Sequence, residues 1–135
     1  MTTATASTSA SSARLPLLRS GAKVGAVAAL ATATFAAGMH AAGVPLEISG
    51  EMIPIAGFAQ LTFMFTLVGV GIAALCRRSH NAGRLFTQIA VALTVLSFVP
   101  DAVANATTAT KLALMTSHLI AAVIAIPRLT ARLSD

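Results

Sequence analysis

The sequence predicts an all-α integral membrane protein, folded as a four-helix bundle, and three observations lead to this prediction. Of the 135 residues, 56% are hydrophobic and only 10% are charged, whereas soluble domains carry about 25% charged residues to keep their surface in water. Four long apolar segments follow one another along the chain. The basic residues cluster on one side of these segments, which is typical of membrane proteins.

Each apolar segment predicts one transmembrane helix. A hydrocarbon core about 30 Å thick requires about 20 residues, since each residue of a helix rises about 1.5 Å. The second segment carries no charge and is the clearest of the four, while Pro100 and Pro127 shorten the third and the fourth. The expected spans are residues 22–43, 53–76, 85–103 and 110–127.

The residues before the first span have a different composition. Ser and Thr occupy eight of the first 13 positions, and none of these 13 residues is charged. Such a segment buries too little apolar surface to offset the entropy that ordering would cost. We therefore expect residues 1–20 to form a disordered cytoplasmic tail and residues 21–132 to form the transmembrane domain.

The basic residues also predict the orientation of the bundle. Cytoplasmic loops carry the excess of Lys and Arg, and placing the N-terminus inside leaves only Lys111 outside. Both termini are therefore expected in the cytoplasm (N-in/C-in), in a multi-pass protein of the plasma membrane. A cleaved signal peptide is the competing interpretation of the first span, because a basic lead and the small residues 36–38 imitate one. The basic residues assigned to the cytoplasm are Arg14, Arg19, Lys23, Arg77, Arg78, Arg84, Arg128 and Arg132.

Small residues recur every four positions on three of the spans. Helices in lipid associate by close packing, which small residues permit. The sequence therefore predicts a compact bundle with little interior space. The clearest series, on the first span, consists of Gly21, Gly25, Ala29, Ala33 and Ala37.

The segment between the first two spans alternates apolar and other residues around Ser49-Gly50. This pattern is typical of a two-stranded hairpin in which Gly50 supplies a positive φ. We predict a small extracellular β-hairpin-like loop that caps the bundle. The expected cross-strand pairs are Glu47 with Met52 and Ile48 with Glu51.

Polar groups within a membrane span are costly, so they raise a functional question. His40, Gln60, Asp101 and His118 all fall in the outer half of the predicted spans and could converge into one cluster. Alternatively, they hydrogen-bond one another or backbone carbonyls and only fix the packing of the helices. The secondary candidates are Glu51, Thr107 and Lys111, of which Thr107 could also cap the fourth helix.

Three functional interpretations of this cluster stay open. An Asp101–His118 pair would fix the imidazole tautomer, as a proton relay or a pH switch requires. His40 and His118 could be the two axial ligands of a haem. The histidines with Asp101 or Glu51 could hold a divalent metal. None of these spacings is diagnostic, so no cofactor is predicted and the metal question stays open.

Other functional classes find no support in the sequence. It contains no nucleophile motif, phosphate loop or pair of catalytic carboxylates. The single cysteine, Cys76, excludes an internal disulfide framework and a zinc site built on paired thiolates. A nucleic-acid partner is not expected either, because the chain has only 9 Lys and Arg and no Trp or Tyr.

Two parts of the chain carry a resemblance to known proteins. The first is the stretch GVPLEISGEMIPIAGFAQLT at residues 43–62, and the second is LSFVPD at 96–101, which leads into the stretches at 106–112 and 117–119. Together they resemble a family of small four-span membrane proteins of unknown function from actinobacteria, over about residues 23–128. The resemblance implies the same four-span layout and a plasma-membrane location, but no known activity, cofactor or catalytic residue. Asp101, Thr107, Lys111 and His118 lie within or next to the matching stretches, which favours them as a shared site.

The sequence thus favours a non-enzymatic plasma-membrane protein with a structural, regulatory or assembly role. Its expected partners are the lipid bilayer and either a second copy of the chain or another membrane protein. The alternative is a proton-, metal- or haem-linked membrane protein that uses His40, Asp101 and His118.

Overall fold

The computed structural model describes residues 6–134, with side chains described from residue 15 onward. Four α-helices and one short hairpin account for nearly all of this part of the chain. The sequence prediction of an all-α four-helix membrane bundle is confirmed, because every helix contains a segment long and apolar enough to cross a bilayer. The elements are α1 (Ala6–Ala41), β1 (Glu47–Ile48), β2 (Glu51–Met52), α2 (Ile55–Cys76), α3 (Ala82–Val103) and α4 (Thr108–Ser134).

Two helices extend well beyond the predicted spans: α1 begins before residue 22, and α4 continues past Pro127 to Ser134, whereas α3 ends at Val103 as expected. Pro16, Pro100 and Pro127 all lie inside helices. A transmembrane helix tolerates proline because neighbouring helices and hydroxyl side chains satisfy the backbone groups that it frees. The apolar segment of α1 also begins earlier than expected, at Leu15.

The first helix begins within the segment that the sequence predicts as a tail. Residues 6–20 belong to α1, and residues 1–5 lie outside the described residues. Alanine is the best helix former, and extending an existing helix avoids the unfavourable step of nucleating one. A Ser/Thr/Ala segment attached to an apolar helix therefore continues that helix.

The hairpin follows the sequence prediction in register and in turn geometry. Glu47 pairs with Met52 and Ile48 with Glu51, in antiparallel orientation. Both turn residues, Ser49 and Gly50, have positive φ angles, which gives the turn the twist that the strands need.

One end of the bundle carries this hairpin and the α3–α4 loop, and we call it the hairpin end. Leu46, next to β1, is 1% exposed and packs with Phe58 and Ala113 in a small apolar cluster. The Ser49 backbone amide donates to the Asn105 carbonyl, at 2.8 Å, so the hairpin is fastened to the α3–α4 loop. The opposite end, with the α2–α3 loop and the start of α1, is the basic end.

Close packing unites α1 with α2 and α4, and α3 with α4, whereas α2 contacts α3 and α4 much less. The predicted four-residue series on α1 is buried over its first three members, Gly21, Gly25 and Ala29. Further along the helix Ala33 and Ala37 are half-buried, and the buried positions there are Thr32 and Ala36. A helix turns about 100° per residue, so a strict spacing of four drifts about 40° at each step and leaves the interface.

Candidate functional site

Asp101 and His118 form the one close pair of acidic and basic side chains found among the described residues. The Oδ2 atom of Asp101 lies 2.9 Å from Nδ1 of His118. Asp101 occupies the last turns of α3, and His118 lies on the neighbouring face of α4. Side chains on a helix lean toward its N-terminus, so His118 leans toward the hairpin end, where Asp101 lies.

The pair is close but not well aligned. The contact satisfies the distance of a hydrogen bond but not its direction, and neither of the two atoms has another hydrogen-bond partner in the described structure. The Asp101 side chain is 11% exposed and that of His118 is 38% exposed. Phe98 packs edge-on against the imidazole, with the ring centroids 6.5 Å apart. The pair is thus held in place and keeps unused hydrogen-bonding capacity.

The other two members of the predicted cluster do not join this pair. His40 lies at the end of α1 and Gln60 in the second turn of α2, and both are exposed. Across residues 6–134, no group of three His, Cys, Asp or Glu side chains comes close enough to hold a metal ion. The structure therefore brings together Asp101 and His118 and leaves His40 and Gln60 at the surface.

Two of the three secondary candidates, Thr107 and Lys111, hold the α3–α4 loop in place. Thr107 caps α4, because its Oγ1 atom accepts a hydrogen bond from the Thr110 amide at 3.2 Å. The Lys111 ammonium donates to the Ala102 carbonyl at 2.9 Å, which satisfies a carbonyl that the end of α3 leaves free. Glu51 lies exposed in the hairpin.

A cleft between α2 and α3, with α4 as its floor, was not predicted and corrects the expectation of little interior space. A cavity of about 560 Å³ occupies its half near the hairpin end, and one of about 420 Å³ continues toward the basic end. We call the two together the lateral cleft. Asp101 lines the first cavity, and the residues that line both are Leu61, Thr62, Phe65, Leu93, Ser97 and His118.

Bulky side chains line the two walls of the cleft. Phe65 on α2 and Leu93 on α3 line both cavities and stay exposed, whereas small residues at these positions would let the two backbones approach. The sequence does hold a signal for this cleft: α3, unlike the other three helices, has no series of small residues at four-residue spacing. Its Gly83 lies at the basic end, against Thr130 and Ser134 of α4.

Hydroxyl pairs connect the helices that do pack closely. Thr32 on α1 and Thr62 on α2 place their Oγ1 atoms 3.0 Å apart. Thr87 on α3 and Thr130 on α4 do the same at 2.8 Å. Together with the Asp101–His118 pair, these contacts link α1 to α2 once and α3 to α4 twice by polar groups.

Comparison with known proteins identifies the family of this chain. The family described as "Family of unknown function (DUF6069)" matches residues 12–135. The chain belongs to this family. The DUF6069 match includes all of α2, α3 and α4, the hairpin and both members of the Asp101–His118 pair. No curated protein and no solved structure matches the chain.

Proposed function

We propose that this DUF6069 protein is a non-enzymatic, multi-pass component of the plasma membrane with a structural or regulatory role. The observation that carries this proposal is the use of polar side chains inside the bundle. Thr32 and Thr87 each bond to a hydroxyl on a neighbouring helix. Such contacts stabilise the association of helices in lipid, where each is worth about 0.6 kcal/mol on average.

The hydroxyls in the lateral cleft support the same interpretation. Ser97 and Ser117 donate to carbonyls of their own helices, those of Thr94 and Leu114. In the described structure neither serine is bonded to the imidazole of His118. Nucleophilic catalysis requires a nucleophile within hydrogen-bond reach of its base, and this arrangement does not occur here.

The charge distribution supports cytoplasmic termini. Arg77, Arg78, Arg84 and Arg128 all lie at the basic end, and basic residues concentrate on the cytoplasmic side of membrane proteins. Cys76 is buried, so a test of topology needs a thiol at an exposed site. In a Cys76→Ala background, Ser79→Cys at the basic end should react with an impermeant maleimide only after the cells are opened. Met52→Cys at the hairpin end should react in intact cells, and the reverse pattern would contradict the orientation.

A proton-linked role is the second candidate, and the Asp101–His118 distance of 2.9 Å favours it. A carboxylate beside an imidazole can take up and release protons as a unit. The metal version lacks such support, since among residues 6–134 no third His, Cys, Asp or Glu side chain lies close enough to the pair. The haem version lacks it because His40 lies exposed at the end of α1 and does not join His118. Proton flux into proteoliposomes tests the proton version. Asp101→Asn should abolish the flux, and His40→Ala, at an exposed histidine outside the pair, should leave it unchanged.

The deciding experiment for the structural role uses the protein purified in mild detergent. We expect a colourless sample that contains no stoichiometric metal, both in the wild type and in His118→Ala. A Soret band or a bound metal that His118→Ala removes would overturn the proposal. His40→Ala is the matched control, because that histidine lies outside the cleft.

A further inference from the structure

The Asp101–His118 pair lies at one end of the lateral cleft with hydrogen-bonding capacity that the protein does not use. Asp101 is 8% exposed, and its Oδ2 atom makes no aligned hydrogen bond. The same holds for Nδ1 of His118. These two atoms face each other and are closed off from the cleft. Both residues nevertheless line the first cavity, so a ligand in the cleft can bond to the other carboxylate oxygen of Asp101 and to the Nε2 atom of His118.

The remainder of the cleft is suited to an apolar chain. Its walls are formed largely by side chains such as Leu61, Phe65 and Leu93. The two cavities, of about 560 and 420 Å³, have the size and the mainly apolar lining of pockets that hold small lipophilic molecules. Phe65 and Leu93 are also exposed on the side of the bundle that faces lipid. The occupant therefore comes from the bilayer and carries an apolar tail.

The charges of the pair restrict the headgroup of this occupant. An anionic phosphate would lie beside the Asp101 carboxylate, and two negative charges repel strongly where the dielectric constant is low. A cationic headgroup would compete with the His118 imidazole, which already lies 2.9 Å from that carboxylate. An uncharged hydroxyl avoids both conflicts, because it can donate to Asp101 and accept from His118.

Two serines add to this preference. Ser97 and Ser117 line the cleft near the pair, and their hydroxyl protons are engaged by backbone carbonyls. Their oxygen lone pairs remain as acceptors. The end of the cleft thus offers several acceptors to a small donor group.

We propose that the lateral cleft binds a membrane lipid that has an uncharged hydroxyl headgroup and a long apolar tail. The hydroxyl lies at Asp101 and His118, and the tail extends between α2 and α3 toward the basic end. This site goes beyond the structural or regulatory role proposed above and does not depend on it. Long-chain alcohols, diacylglycerols and isoprenoid alcohols share the required chemistry.

Photo-crosslinking tests the site. The wild-type protein in phosphatidylcholine nanodiscs is exposed to hexadecanol that carries a diazirine in its chain. Two companion probes have the same chain with a methyl ether or a phosphate in place of the hydroxyl. We expect saturable labelling of the α2 and α3 segments that line the cleft by the alcohol, and about tenfold weaker labelling by the methyl ether, since it cannot donate a hydrogen bond to a carboxylate. Unlabelled diacylglycerol and isoprenoid alcohol then show which tail competes best.

Two variants and one control locate the site. Asp101→Ala removes the acceptor and should abolish the preference for the alcohol over the methyl ether. Leu93→Trp fills the cleft from its α3 wall and should reduce the labelling about tenfold. Leu30→Trp makes the same change at an exposed position of α1 outside the cleft and should leave the labelling unchanged.

Each contrary outcome overturns the proposal in a different way. Equal labelling by the alcohol and the ether rules out recognition of the hydroxyl, and strongest labelling by the phosphate probe assigns the cleft to an anionic lipid. Label spread evenly over all lipid-facing surfaces, or unchanged in Leu93→Trp, rules out the cleft itself. If Asp101→Ala does not fold, the comparison of probes on the wild type decides. None of these results produces a Soret band or bound metal, so failure here is distinct from failure of the proposed function.

Discussion

The boundary between α1 and α2 and the boundary between α2 and α3 differ in the size of the residues that face each other. At the first boundary, Gly21 and Gly25 leave room for Val70 and Phe63, and the helices touch. At the second boundary, bulky side chains face each other and the lateral cleft opens. In lipid, where tails solvate leucine as well as another helix does, residue size decides which helices associate.

The largest difference in stability is expected between truncating a leucine that is buried among packed helices and truncating one that lines the lateral cleft. Leu129 is 1% exposed within the cluster at the basic end, whereas Leu93 is 47% exposed in the cleft. Leu129→Ala leaves a cavity and should lower the free energy of unfolding by about 3 kcal/mol. Leu93→Ala should change it by less than about 0.5 kcal/mol, because lipid replaces the lost contacts. Denaturation in mixed micelles measures both, and equal losses would contradict the distinction.

The next effect concerns the contact between α1 and α2. Adding a methyl group at Gly21 places it against Val70, with no free space, and such overpacking costs about 2 kcal/mol. Gly71 is the control, because no atom from outside its own helix turn lies near the position of an added methyl group. Gly71→Ala should stabilise α2 by up to about 1 kcal/mol through its better helix propensity. Thermal unfolding of Gly21→Ala and Gly71→Ala should therefore shift in opposite directions, and a parallel shift would show that Gly21 is not at a tight contact.

A smaller effect is expected at the start of α4, which forms the floor of the cleft. Thr107→Ala removes the cap on the Thr110 amide and should cost about 1 kcal/mol. Thr108→Ala, one residue along, removes a hydroxyl that makes no capping bond and should cost much less. Hydrogen exchange of the first turn of α4 reads out the local loss. Faster exchange in Thr108→Ala than in Thr107→Ala would show that Thr108, and not Thr107, caps α4.

The smallest effect tests the polar contact at the closed boundary. Thr32 is fully buried and pairs with Thr62 across α1 and α2, while the exposed Thr34 bonds only to the Leu30 carbonyl of its own helix. Thr32→Val should cost about 0.6 kcal/mol, and Thr34→Val should be close to neutral. A double-mutant cycle with Thr62→Val isolates the coupling, and a coupling of zero would remove the hydroxyl pair from the description of this boundary.

Features that depend on local sequence could be predicted. The register of the hairpin follows from the alternation around Ser49-Gly50 and from the φ angles that this dipeptide favours. The four apolar helices follow from composition. The pairing of Asp101 with His118 was predicted as one of several possibilities, because both residues lie in the outer half of neighbouring spans.

Features that depend on which helix faces meet could not be predicted in the same way. The buried face of α1 passes from Gly25 to Thr32 and Ala36 because of the helical rotation, which a four-residue pattern does not follow. His40 and Gln60 have the right depth but point to the surface, and depth alone does not set the direction of a side chain. The cleft results from a mismatch between two helices, which neither segment shows by itself.

The attachment of the hairpin to the α3–α4 loop has a consequence for the route of a ligand. The Ser49 amide and the Asn105 carbonyl join the connection before α2 to the connection after α3, and the short 77–81 loop joins the same two helices at the opposite end. The opening between them is therefore a window with fixed upper and lower edges. A lipid bound in the lateral cleft would enter through it sideways, from the membrane, and the height of the window would limit the length of tail that fits.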